Sequence, residues 1–258
     1  METRTAIDER EREVANAREM TMAYVHALAF AFRDTARDPK YRDNHLLSVI
    51  SDDLMESAFA LPILLDSGVP NAALREARFL LEASIKLCYV QQSRQTATIA
   101  QKLTEFQKLL DSSSISPKAD IELYLLPDDR REEFLVEVGR AYGLTSKYVH
   151  LTVRQLEQRI AQLASGRTAG KDTAEEVAAV NQILATVFDC ALVLLFHSVP
   201  PYVSGDWFVE KDGKTVNWLF ASSPFLALID EHYDYKAERQ PVLEQVKAER
   251  IARARSRN

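Results

Sequence analysis

Residues 145–150, Thr-Ser-Lys-Tyr-Val-His, place a hydroxyl, an ammonium, a phenol and an imidazole side by side. Read as helix, Ser146, His150, Arg154 and Glu157 fall on one stripe, each three or four residues from the next. An imidazole titrates near neutral pH, so it can give or take a proton where a hydroxyl or a cation stands within reach. Arg78 and Glu82, four apart on an earlier helix, are placed to meet this stripe across a helix interface. The same residues also have a purely structural reading. Ser146 then bonds back to its own helix, His150 is a satisfied interior histidine, and Arg78 with Glu82 is an ion pair that fixes helix packing.

Other chemistry has less support. His26, His45, His197 and His232 are scattered and form no HxH, HxxxH or HExxH spacing, so no metal is expected. No glycine-rich phosphate loop occurs, which sets aside P-loop and dinucleotide readings, and no cofactor is implied. Cys88 and Cys190 both lie in apolar helical runs and read as small buried hydrophobes.

The elements that would position the stripe are helices. Pro70 to Gln92 contains no glycine and no proline after its first residue. Arg75, Arg78, Glu82, Lys86 and Tyr89 fall on one ridge, while Leu74, Ala77, Leu80, Leu81, Ile85, Leu87, Cys88 and Val90 cover the rest. A helix apolar around most of its circumference is packed on several sides. Arg78, Glu82 and Lys86 at i, i+4 and i+8 favour charge pairing along it.

Around this helix the chain predicts a first helix over 8–36 and a second from about Asp43 to Leu65, kinked or broken at Pro62. A fourth covers 96–111 and a short piece 118–125. Another runs from Pro127 to about Tyr142, with Gly143 separating it from a helix over 144–164. Val149, Val153, Leu156, Ile160 and Leu163 form the expected buried stripe of that helix. Thr173 to His197 is long and apolar. Asp212-Gly213 inside Trp207 to Leu219 is a hairpin signal. Pro224 to about Tyr233 and 239–256 are helical. Arg250, Arg253 and Arg257 share a face of the last, either as phosphate contacts or as cations suited to a helix C-terminus.

The fold class expected is therefore all-α: an antiparallel bundle of about seven main helices over 1–200, with a β-hairpin and a C-terminal helix over 201–258 as an appendage. Seven glycines in 258 residues argue against a chain of many tight β-turns. A net charge of −6 excludes indiscriminate nucleic-acid binding while leaving room for a local basic patch. The charged N-terminus lacks a signal-peptide core, and the most apolar run, Val187 to Phe196, contains Asp189, so a cytoplasmic protein without a membrane span is expected.

An Arg-x-x-x-Glu pair in LREARFLLEASIKLCYV, followed later by a Tyr…Ser-Lys-Tyr-Val-His segment, resembles the HEPN superfamily of helical bundles from bacterial defence and toxin systems. The resemblance spans roughly residues 45–197. It implies a metal-independent endoribonuclease that works as a homodimer, with an Arg and a His on one helix at the subunit interface. The histidine would be His150. Arg140 lies ten positions upstream, beyond the family's usual spacing, and Arg154 lies downstream. From the local pattern, Ser146 joins the catalytic candidates, and Arg78, Glu82, Lys147 and Tyr148 form a binding or structural polar ridge. The alternative function is a non-catalytic helical module that engages a protein partner.

Overall fold

The computed structural model describes residues 4–110, 115–148, 153–164, 166 and 172–256. Four long helices form the frame: α1 (Arg4–Thr35), α3 (Leu47–Asp66), α4 (Pro70–Ser93) and α8 (Ala174–Ser198). Contacts run α1 to α3, α3 to α4, α4 to α8 and α8 back to α1, which closes a four-helix ring. The short α2 (Pro39–Arg42) leads into α3, and α5 (Ile99–Leu110) packs on α4. Helix α6 (Asp128–Ser146) lies against both α4 and α8, and α7 (Val153–Ala164) follows it. Then come α9 (Pro201–Phe208), α10 (Pro224–His232) and α11 (Leu243–Ser256).

The sequence pattern explains the centre. Leu74, Ala77, Leu80, Leu81, Ile85, Cys88 and Val90 of α4 are all buried. Each large aliphatic side chain removed from water there contributes about 1.5–3 kcal/mol. Helix α8 starts at a capping box, in which Thr173 Oγ1 accepts from the Glu176 amide and the Glu176 carboxylate accepts from the Thr173 amide. It is the one helix among the described residues long and apolar enough to cross a membrane, and most of its apolar stretch is buried within the bundle. Burial pushes the thiols of Cys88 and Cys190 well up, so neither is reactive.

Several expectations are corrected. Pro62 sits inside α3, so of the kink or break expected there the break does not occur. It has no N–H for the carbonyl of Ala58, and that carbonyl instead accepts from Thr21 Oγ1 of α1 at 3.5 Å. Gly143 does not separate two helices. Helix α6 runs through it to Ser146, held by buried Val138, Ala141 and Thr145. Val153, Leu156, Ile160 and Leu163 are exposed rather than buried, at 48–73%, because nothing among the described residues covers that face of α7. Val149 lies outside the described residues.

The hairpin over 207–219 does not form, and the fold is all-α with no β appendage: no strand occurs among the described residues. The turn is real. Gly213 donates to Glu210 O at 2.8 Å, Glu210 donates to Lys214 O at 3.0 Å, and Val209 and Thr215 make an isolated bridge. Gly213 has φ +79°, and a Cβ there would stand 2.0 Å from the Glu238 carbonyl oxygen, so glycine is required. The aromatic flanks are used otherwise. Trp207 and Phe208 end α9, Trp218 stands edge-on to Trp207 at 5.1 Å, and both approach Phe196 of α8. Packing these rings against the core, Phe208 buried and the two tryptophans partly so, outweighs a two-stranded ribbon that is marginal alone.

The C-terminal segment is fastened by charge. Asp230 accepts from Arg239 at 2.7 Å, Thr215 at 2.9 Å and Arg250 at 2.5 Å, and Arg250 also grips Asp234 at 2.6 Å. Arg250 is therefore a structural clamp rather than a free phosphate contact; Arg257 lies outside the described residues.

Candidate functional site

The ridge of α4 is a fixed charge relay. Glu82 Oε2 pairs with Arg78 at 2.9 Å and Oε1 with Lys86 at 2.6 Å, the i, i+4, i+8 order expected from spacing. Lys86 is 4% exposed and Arg78 11%. Arg78 also reaches α6. Its Nη1 donates to Ser146 Oγ at 2.7 Å, and its Cζ lies 3.4 Å from the Tyr142 ring centroid. Ser146 in turn donates to the Tyr142 carbonyl at 2.5 Å, so its hydroxyl is held as an acceptor for Arg78. Burial raises the Tyr142 phenol, and the neighbouring Arg78 opposes that shift. One turn earlier, Arg75 Nε donates to the Tyr148 carbonyl at 2.7 Å.

These cations face a cleft of about 340 Å³. Arg75, Arg78, Lys86 and Glu82 supply its charge, and Ile50, Phe79 and Phe106 supply apolar walls. Three cations against one carboxylate make it locally positive in a chain of net charge −6. Arg75 is exposed and uses one N–H in the Tyr148 bond; a guanidinium has five, so it retains donors for an anion. Phe79 is 43% exposed, a face on which a planar apolar group can stack.

The sequence-derived residues distribute unevenly. Arg78 and Glu82 line the cleft, and Ser146 and the Tyr148 carbonyl are bonded to its two arginines without lining it. Lys147 is exposed in the turn after α6. Arg140 does not join them. It pairs with Glu137 at 2.5 Å and reaches Thr186 of α8 at 3.4 Å, and this pairing raises the Arg140 pKa and lowers that of Glu137. His150 lies outside the described residues, and Arg154 lies on α7. Helix α6 ends at Ser146 and Lys147 and Tyr148 form a turn, so the helical stripe expected from Ser146 is interrupted there; residues 149–152 lie outside the described residues. Phe79 and Phe106 were missed as cleft walls. Phe79 is four residues from Arg75 and three from Glu82, a spacing that already sets it beside the ridge.

Three further titratable side chains, Lys102, His45 and His197, are buried with no acidic partner among the described residues. Lys102 of α5 is fully buried and its ammonium donates to the Asn44 carbonyl, to Gln91 Oε1 at 3.1 Å and to the Gln95 carbonyl at 3.3 Å. Burial lowers its pKa to about 8. His45 and His197 are likewise buried and lowered to about 4 by loss of solvent. His45 accepts from the Leu47 amide and bonds the Ser198 carbonyl, while His197 bridges the Leu125 amide and the Val193 carbonyl. All three tie segments together and line no cleft with the α4 cations. No family model, no curated protein and no solved structure matches the chain.

Proposed function

We propose that this protein is a HEPN-like factor of bacterial stress or phage defence that binds or cleaves RNA without a metal, working as a homodimer. The observation that carries the reading is the join between α4 and the segment after α6: Arg78 is bonded to Ser146, and Arg75 to the Tyr148 backbone. The locally positive cleft thus opens beside the stretch of chain that leads to His150. An RNA phosphate would bind Arg75, with a base on Phe79. In a cleaving enzyme, His150 takes a proton from the ribose 2′-OH or gives one to the leaving oxygen. An arginine then offsets the charge that develops on the phosphate. Arg140, Arg154 and Arg78 are the candidates for that role; Arg140 would have to leave Glu137, and Arg78 to leave Glu82.

The test is RNA cleavage by wild-type protein and His150→Ala in EDTA, with thermal melts of both. Cleavage lost in a variant that melts like wild type is the expected result. If neither cleaves, RNA binding by Arg75→Ala decides between binding and no RNA role. Unchanged affinity in that variant removes the cleft from the proposal.

A second reading is a non-catalytic interaction module. The exposed apolar stripe of α7, Val153, Leu156, Ile160 and Leu163, supports it, since such a face suits a partner helix.

A further inference from the structure

Three of the side chains that line the α4 cleft follow one another along a single face of the helix. Arg75, Phe79 and Glu82 stand at i, i+4 and i+7, so the cleft presents a cation, a ring and a carboxylate in that order. Arg75 and Glu82 are two helical turns apart, about 10 Å along the axis. That is the reach of a nucleotide from its phosphate to the far edge of its base. The cleft holds about 340 Å³, at the small end of ligand sites, which gives room for one nucleotide and not for a base pair. A base on Phe79 therefore enters unpaired, with its Watson–Crick edge directed along the ridge toward Glu82.

The chemistry of Glu82 selects among the bases. Its side chain is 26% exposed, and each oxygen is oriented by a cation of its own helix, Oε2 by Arg78 at 2.9 Å and Oε1 by Lys86 at 2.6 Å. A carboxylate has about four acceptor positions, so these two bonds leave it able to accept more, and it offers no donor. The edge that complements it carries two adjacent donors. Guanine alone among the RNA bases has such an edge, with N1–H beside the N2 amino group. Adenine and cytosine set a ring-nitrogen acceptor next to their amino group. Uracil flanks its N3–H with two carbonyl oxygens. Each of these three would turn an acceptor toward the carboxylate.

We infer that Glu82 determines specificity: the cleft selects an unpaired guanine, with N1–H and the N2 amino group donating to the carboxylate, the ring on Phe79 and the phosphate on Arg75. This inference rests on the RNA reading above and adds the base to it. The chemistry is shared by a guanine within an RNA strand and by a free guanine nucleotide.

The experiment is fluorescence anisotropy of the full chain with labelled 2′-fluoro pentanucleotides, uridine throughout except for a central guanine, adenine, cytosine, uracil or hypoxanthine. These probes lack the 2′-OH nucleophile and stay intact. Hypoxanthine keeps N1–H and loses the N2 amino group. The guanine probe should bind about tenfold or more tightly than the adenine, cytosine and uracil probes, with hypoxanthine between. Glu82→Gln replaces one acceptor oxygen by a donor and should remove the preference. A melt establishes that this variant folds, and the hypoxanthine comparison, made on wild type, decides the matter where it does not. Displacement of the guanine probe by GMP at equal concentration assigns the free nucleotide, and displacement only at large excess assigns a strand. Equal binding of all the probes leaves the RNA reading standing and overturns guanine selection. Hypoxanthine equal to guanine overturns it too, as does a preference that survives in folded Glu82→Gln. Binding of no probe overturns the inference and the RNA reading together.

Discussion

Arg78 lies flat on Tyr142, its guanidinium carbon 3.4 Å from the ring centroid, so the α4 ridge is locked to α6 by stacking as well as by charge. Glu82 is the carboxylate that balances this arrangement. Glu82→Ala would leave Lys86, 4% exposed, and Arg78 without it. Removing one partner of a buried pair strands the other charge, and the expected loss is about 3 kcal/mol by urea denaturation. A loss below about 0.5 kcal/mol would class the relay with screened surface pairs.

Acid should unfold the protein through His45 and His197. Both have folded-state pKa values of about 4 against 6.5 for the free side chain, so the unfolded chain binds more protons between those values. Stability then falls as pH drops from 6.5 toward 4, by about 3 kcal/mol for each ring at full effect. Denaturation midpoints at pH 7 and 5 test this, with His45→Gln expected to flatten the slope. An unchanged slope would mean that the ring is solvated.

Lys102 produces the same sign in a higher window. Its folded value of about 8 lies below the ordinary 10.5, so the unfolded chain again holds the proton more tightly. Lys102 therefore costs stability below pH 8, and that cost fades as pH rises from 8 to 10.5. The comparison is wild type against Lys102→Met: the variant should gain less stability across this window. Equal gains would show that the three oxygens around the ammonium offset its burial.

Asp230 joins three elements, the Thr215 turn, Arg239 and α11. Asp230→Ala leaves Arg239, which is fully buried, without its carboxylate. A loss of about 3–5 kcal/mol is expected, with exchange of the α11 amides rising before that of α4 if the clasp holds the C-terminal segment alone. Simultaneous loss of protection in α4 would show that the segment is integral to the bundle.

The sequence made the interior of α4 legible because a single helical period separates its charged ridge from everything buried. It showed the Asp212-Gly213 turn for a local reason, since the φ of Gly213 is set within the turn. The fate of Trp207 and Trp218 was not local: it depends on Phe196, and ring burial overrode strand propensity. Gly143 misled for a related reason. One glycine costs a helix about 1 kcal/mol relative to alanine, which the buried residues on either side of it offset. Lys102 carries no sequence mark of its burial, because its acceptors are two backbone carbonyls, which any residue type supplies, and one side-chain amide. In α7 the period disclosed an apolar face but not what covers it.

That face gives the last prediction. Val153, Leu156, Ile160 and Leu163 repeat at intervals of three, four and three, the seam by which one helix packs against another. All four are exposed, so charges placed there bury nothing and break no packing in the monomer. Ile160→Glu with Leu163→Glu should change stability by less than about 0.5 kcal/mol. If α7 is the surface through which two copies associate, sedimentation should shift from dimer to monomer in the same variant. RNA cleavage should fall with it where the site needs both copies. A dimer that survives the double substitution would move the subunit interface away from α7, and a wild type that sediments as a monomer would remove the homodimer from the proposed function.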